Sequence, residues 1–167
     1  TFKNFINYLS KMREKPKERL TTWLFLFAYL TTLAITFLDF FKLKILTFNY
    51  EIIFGILLAG GIALRLLCRM WLRRFFSIHI KIKKDHEIVR KGLYKYVRHP
   101  MYTSTLLIFL GFAGIFSSIL GIIATLVLIL PVTLLRIKRE EYYLKQKTKE
   151  RYEDYMRNTK KLIPFIY

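Results

Sequence analysis

The chain has 167 residues, of which 54% are hydrophobic, with a mean hydropathy of +0.29 and a formal net charge of +18. It is more apolar than an ordinary soluble domain of this size, and its apolar residues fall in long blocks, not at the alternating spacing of a half-buried strand. Cys68 is the only cysteine, which excludes an intrachain disulfide and a thiolate metal cluster.

Residues 1–20 mix Lys, Arg and Glu with Phe2, Phe5, Ile6 and Leu9 at helical spacing, interrupted by Pro16. They read as a basic interfacial helix broken at the proline. Thr1 is not an initiator methionine, so the natural N-terminus is left open. Residues 21–167 read as one membrane domain. The first block, 21–41, is longer than a signal-peptide core and is expected to be a retained span, anchored by Trp23, Phe25, Phe27 and Tyr29 at one interface. The second, 52–70, carries Gly55, Gly60 and Gly61, small enough to admit a neighbouring helix. It also carries two charges. Arg69 is expected to snorkel to the headgroups, and Arg65 either snorkels or faces a polar cavity.

Residues 101–135 are too long for one ordinary span and barely enough for two. Gly114, Ser117, Ser118 and Gly121 predict a turn, giving spans at 101–116 and 118–135 in a tight hairpin. From 136 to 158 the sequence becomes charged and helix-favouring, with Tyr142, Tyr143, Tyr152 and Tyr155 interleaved, as in a helix leaving the membrane. The expected fold is all-α and integral to the membrane, with four transmembrane helices, an N-terminal interfacial helix and a C-terminal cytoplasmic helix.

The charge has a topological reading. Twenty-five of the 29 Lys and Arg residues lie in 1–20, 71–100 and 136–167. Four spans put those segments on one side and Lys42 and Lys44 on the other. This is the positive-inside asymmetry, with both termini cytoplasmic, and it makes membrane lipids, not nucleic acid, the partner of the basic residues.

The connection at 77–100 reads SIHIKIKKDHEIVRKGLYKYVRHP. Its order of residue types stands out: His86, Val89, Gly92, Tyr94, Arg98, His99, Pro100, then Tyr102 at the start of the next apolar block. Further on come Arg136, Glu140, Glu141, Leu144, Tyr152, Tyr155, Ile163 and Pro164. Both sets, in this order and separated by a hairpin, resemble the isoprenylcysteine carboxyl methyltransferases and the related small phospholipid methyltransferases. The resemblance covers His86 to Pro164. It departs from the family pattern at Thr148 and Lys149, where Phe-Gly is common.

The resemblance implies methyl transfer from S-adenosylmethionine to a lipophilic acceptor that enters from the bilayer. It also implies a cofactor pocket formed by 86–102 closing over the start of the C-terminal helix, with Arg136 and Glu140 at the reaction centre. The cofactor-binding residues expected are His86, Val89, Gly92, Tyr94, Arg98, His99, Pro100, Tyr102, Glu140 and Glu141. Their chemistry suits the task. His99 and Arg98 can meet a carboxylate, and Glu140 and Glu141 can accept from an ammonium or a ribose diol. Tyr94 and Tyr102 offer ring faces, Gly92 permits close backbone approach, and Pro100 fixes the entry into the helix. Taken singly, each has a blander role as interface anchor or solvated helix face. The ordered set overturns that.

His79, His86 and His99 lack ligand-like spacing, and no metal is expected. No Gly-rich turn of the dinucleotide-binding type is present. The acceptor is read as the carboxylate of a prenylated cysteine or a similar isoprenoid or lipid, with a phospholipid amine or a small thiol as alternatives. A nicotinamide-dependent membrane reductase and a non-enzymatic lipid-binding scaffold are the readings from other classes. The location is the plasma membrane of a prokaryote or the endoplasmic reticulum of a eukaryote.

Overall fold

The computed structural model describes residues 2–43, 50–72, 90–148 and 150–163, with side chains from Leu20 onward except that of Lys147. Within them the chain forms six α-helices: α1 (Phe2–Leu38), α2 (Glu51–Leu72), α3 (Pro100–Ile115), α4 (Ile119–Ala124), α5 (Leu130–Thr148) and α6 (Glu150–Asn158). Wider, π-type turns extend α1 over Asp39–Leu43 and join α4 to α5 over Thr125–Ile129. The second of these lies just before Pro131, which has no N–H to return to Val127, so the regular ladder is broken there. No strand occurs among the described residues. A single parallel bridge pairs Val97 with Lys160.

Three helical stretches are long and apolar enough to cross a membrane: Leu20–Leu43, Glu51–Leu72 and Ile119–Gln146. The segment expected as the third span, 101–116, forms the apolar helix α3, whose 16 residues reach only about 24 Å at the helical rise and fall short of the other three. The α2 face away from the other helices leaves Ile52, Ile53, Ile56, Leu66 and Met70 largely exposed, Ile52 at 80%. Apolar surface of this extent belongs in lipid.

Helix α2 packs chiefly along α3, and α1 packs against α4 and α5. The α2–α3 seam is set by glycine. A Cβ on Gly111 would stand 2.5 Å from the Leu58 backbone nitrogen, and one on Gly61 would stand 2.9 Å from that of Ile108. Gly55 and Gly60 take no part, having nothing within 4 Å of such an atom. Of the three glycines expected to admit a neighbour, Gly61 alone does so.

The hairpin turn also differs in detail from expectation. It is made at Phe116–Ser118, where Ser117 adopts the left-handed conformation at φ 47°. Ser118 then caps α4, accepting from the Gly121 amide at 2.9 Å and donating to the buried Asp39 carboxylate at 2.8 Å. Gly114 and Gly121 are packing residues instead, the first against the Phe54 ring and the second against the Thr36 hydroxyl.

At the N-terminus α1 runs unbroken through Pro16, with no backbone boundary at residue 20. The aromatic group at 23–29 divides between two environments. Trp23 and Phe27 are about two-thirds exposed, while Phe25 is buried and Tyr29 half-buried, stacked on Phe109 of α3 with ring centroids 4.8 Å apart.

Candidate active site

The site is assembled where α1, α3, α5, residues 92–99 and the chain that follows α6 meet. The first step is backbone geometry. Gly92 has φ +56°, and a Cβ there would lie 2.3 Å from the Trp71 indole. Only glycine meets both demands, so the room it makes is taken by Trp71 of α2. The chain then coils tightly over Gly92–Lys95, burying Tyr94 beside Cys68 of α2. Burial pushes the Tyr94 hydroxyl well above the usual phenol range.

Beyond Tyr96 the chain lies beside the segment that follows α6. Lys160 donates its amide to the Tyr96 carbonyl at 2.9 Å, and the Arg98 and His99 amides donate to the Lys160 and Lys161 carbonyls at 2.8 and 3.0 Å. Thr103 Oγ1 adds a bond to the Leu162 carbonyl at 2.7 Å, and the Tyr155 hydroxyl donates to the Tyr94 carbonyl at 2.7 Å. Pro100 takes the first position of α3, where its missing N–H costs nothing. The Arg-His-Pro corner is thus held against the C-terminal segment by main-chain bonds.

Arg98 is buried, and its Nε and Nη1 donors are engaged within the protein. Nε donates to Glu141 Oε1 at 2.8 Å, while Nη1 reaches the Met156 carbonyl at 3.1 Å and the Thr159 carbonyl and hydroxyl. The carboxylate that Arg98 meets here is Glu141. The two residues form a buried clasp between α5 and the end of α6.

The neighbouring carboxylate is the centre of a second group. Glu140 Oε1 accepts from the Tyr102 hydroxyl at 2.5 Å and from Arg136 Nε at 3.4 Å, and its Oε2 lies 3.6 Å from His99 Nδ1. Arg136 is in turn fixed from α1, with Nη1 3.3 Å from the Thr22 hydroxyl and its guanidinium carbon 5.5 Å from the Phe25 ring centroid. Phe25 stacks on Tyr102 at 6.1 Å. Arg136 and Glu140 are one turn apart on α5, so their shared face is a helical consequence. Their convergence with Tyr102 depends on the packing of α3 against the bundle.

Two buried polar atoms beside these carboxylates have no hydrogen-bond partner among the described residues: His99 Nε2 and the Tyr152 hydroxyl. His99 Nε2 is 3.5 Å from Glu141 Oε1, and Tyr152 lies in the field of Glu141 and Arg98. Leaving such groups unpaired is costly, so they mark where an added polar ligand or water would be stabilised. Glu140 keeps 22% side-chain exposure and is the more open of the two acids.

Of the expected site residues, the structure brings His99, Tyr102, Arg136, Glu140 and Glu141 together, with Arg98 and Pro100 supporting them. Gly92 and Tyr94 lie beneath this group, against α2. His86 and Val89 fall outside the described residues. Sequence reasoning left out Thr22, Phe25, the orphaned Tyr152 hydroxyl as part of the site, and the pairing of 96–99 with 160–161. The Tyr152 position was visible in the motif, but the α1 contacts had no local signal.

Comparison with known proteins matches residues 52–146 to the model of the isoprenylcysteine carboxyl methyltransferase (ICMT) family. The chain is 32% identical over 95 residues to protein-S-isoprenylcysteine O-methyltransferase B of Arabidopsis thaliana, an alignment covering 56% of this chain and 48% of that protein. It is 28% identical over 89 residues to a probable protein-S-isoprenylcysteine O-methyltransferase of Oryza sativa subsp. indica, covering 53% and 47% respectively. The chain spans about half the length of these relatives.

Proposed function

The chain belongs to the isoprenylcysteine carboxyl methyltransferase family, and from that premise we propose that it methylates the carboxylate of a prenylated cysteine, or of a similar isoprenoid or lipid, at the cytoplasmic membrane face with S-adenosylmethionine as donor. The observation that carries this reading is the convergence of Tyr102, Arg136 and His99 on Glu140. When bound, S-adenosylmethionine supplies an electrophilic methyl group on a cationic sulfur.

The residues present fit that cofactor. The unpartnered His99 Nε2 and Tyr152 hydroxyl can bond to its carboxylate or ribose, and Glu140 and Glu141 can accept from its ammonium or diol. Arg98 serves as a positioning residue, holding Glu141 in place. Methyl transfer is an in-line displacement with no proton to move when the acceptor is a carboxylate, so alignment and exclusion of water carry most of the acceleration.

Arg136 is the group suited to align the acceptor. Thr22 and Phe25 fix its guanidinium, and a fixed guanidinium orients a carboxylate without reorganising during the reaction. A neutral amine offers this guanidinium no anion to bind, which favours the carboxylate over the phospholipid amine. The apolar exterior of α1 and α2 supports delivery of the acceptor from the bilayer, and the concentration of Lys and Arg in 71–100 and 136–167 supports a cytoplasmic site with both termini on that side. The membrane is then the plasma membrane of a prokaryote or the endoplasmic reticulum of a eukaryote.

Calorimetric titration with S-adenosylhomocysteine tests the site. The purified protein is expected to bind it, and His99→Ala and Glu140→Gln are expected to lose binding. Wild-type affinity in both variants would refute the assignment.

A further inference from the structure

Arg65 of α2 is a charge within an apolar span, seven residues before the helix ends at Leu72 and so about 10 Å along its axis from that end. A snorkelling arginine directs its guanidinium toward the headgroups. This one is spent differently: Nη1 donates to Thr105 Oγ1 at 2.8 Å, a residue already five positions inside α3. Thr105 is 4% exposed and bonds back to the Met101 carbonyl at 3.2 Å, so it is a fixed anchor. Arg65 itself remains exposed, and among the described residues Thr105 is its one hydrogen-bond partner. A cation fixed at one nitrogen, with its other donors open to the lipid side, costs free energy unless an anion completes it.

The surroundings connect this cation to the reaction centre. Tyr29 of α1 stacks on Phe109, one turn along α3 from Thr105, with ring centroids 4.8 Å apart. Its ring centroid is 5.4 Å from that of Phe25, the ring beneath the Arg136 guanidinium. Arg65, Thr105, Phe109, Tyr29, Phe25 and Arg136 therefore lie along one path from the exposed side of α2 to Glu140. The intervening contacts are buried or half-buried and largely aromatic, and the exposed end at Arg65 is flanked by the exposed Ile62 and Leu66 of α2. An apolar chain with one anionic head is the ligand chemistry that this exposed end accommodates.

We propose that Arg65, held by Thr105, forms an anion site on the membrane-facing side of the enzyme that captures the anionic head of a lipophile dissolved in the bilayer, ahead of its transfer to Arg136. The proposal rests on the methyltransferase reading for its consequence but not for the binding event. Two sources supply such a head, the carboxylate of the acceptor and the phosphate of an anionic phospholipid.

The test uses the full chain in nanodiscs of zwitterionic lipid, with a radiolabelled N-acetyl-S-prenyl cysteine, whose one charge is its carboxylate, as probe and Arg65→Gln, Arg65→Lys and Thr105→Val as variants. Calorimetry with S-adenosylhomocysteine verifies that each variant remains assembled. Loss of one charge-assisted contact corresponds to about tenfold in affinity. Arg65→Gln is therefore expected to weaken probe binding about tenfold and to raise KM by a similar factor with kcat changed less than about twofold. Arg65→Lys should recover most of the loss, and Thr105→Val should show part of it. If the phospholipid is the source, phosphatidylglycerol added to the discs binds the wild type and fails to bind Arg65→Gln, while the probe binds both equally. Equal binding of both probe and phosphatidylglycerol by wild type and Arg65→Gln would overturn the proposal, even in a protein that transfers methyl groups. Arg65-dependent binding without any methyl transfer would leave the anion site standing and refute the enzymatic reading.

Discussion

The Tyr102 hydroxyl and the Glu140 carboxylate meet at 2.5 Å, joining the start of α3 to the middle of α5 across 38 residues of sequence. The same Glu140 oxygen accepts from Arg136, so one atom gathers groups from two helices. Tyr102→Phe keeps the ring stack on Phe25 and removes the hydroxyl that faces Glu140 and Arg136. It should reduce methyl transfer by about ten- to a hundredfold while leaving the thermal midpoint within a few degrees, the range expected of a single positioning hydrogen bond. Steady-state rates and a melting curve on the same preparation check both halves of the statement.

Arg98 and Glu141 predict a different outcome. Their side chains are 6% and 10% exposed, and breaking such a pair leaves a buried charge uncompensated. Arg98→Ala should cost roughly 3–5 kcal/mol. Arg98→Gln is expected to fall between it and the wild type, since it can still donate to a backbone carbonyl. Thermal or denaturant unfolding in detergent measures this, and a melting midpoint equal to the wild type in Arg98→Ala would show that the clasp is not structural.

Glycines of the same helix pair should respond oppositely. Gly111→Ala forces a Cβ to within 2.5 Å of the Leu58 backbone and must push α2 from α3, an overpacking cost of about 1–3 kcal/mol. Gly60→Ala enters open space and should be neutral or slightly stabilising through helix propensity. Paired melting curves distinguish them.

The contacts of Tyr155 and its neighbours give a pH dependence whose sign can be worked out. Burial pushes the Tyr155 hydroxyl up to about 12 and raises those of Tyr94 and Tyr152 as well. An unfolded tyrosine titrates near pH 10, so above that the unfolded state releases protons that the folded state still holds. The stabilisation is complete below about pH 10 and is lost as pH rises toward 12. Tyr155→Phe should flatten the loss between these values and lower stability at neutral pH by about 1 kcal/mol through the missing bond to the Tyr94 carbonyl. Unfolding followed from pH 8 to 12 measures both effects.

What could be read from the sequence follows the range of the forces involved. Apolar blocks and the i, i+4 pairing of Arg136 with Glu140 are local patterns, and they gave the helices and one face of the site. Gly61 could not be told from Gly60 because the difference lies in which side meets α3. Arg98 looked like a ligand for a foreign carboxylate, and its partner Glu141 is 43 positions away. Phe25 reads as part of an interface belt and Thr22 carries no signal at all, since nothing in α1 announces that Arg136 packs against it. The pairing of 96–99 with 160–161 is main-chain bonding and has no residue signature. Pro16 predicted a break that the helix does not make. A proline removes one hydrogen bond, and the turns on either side can still continue the helix.

The central claim is that the group around Glu140 directs a methyl group to a lipophilic carboxylate. Its most direct measurement is incubation of the purified protein with methyl-labelled S-adenosylmethionine and an S-prenyl cysteine, followed by isolation of the product. The account predicts label in a base-labile methyl ester, reduced by at least about a hundredfold in Glu140→Gln, a loss typical of a misplaced reaction centre. Label recovered only in a phospholipid amine, or an equal yield of ester from Glu140→Gln, would contradict it.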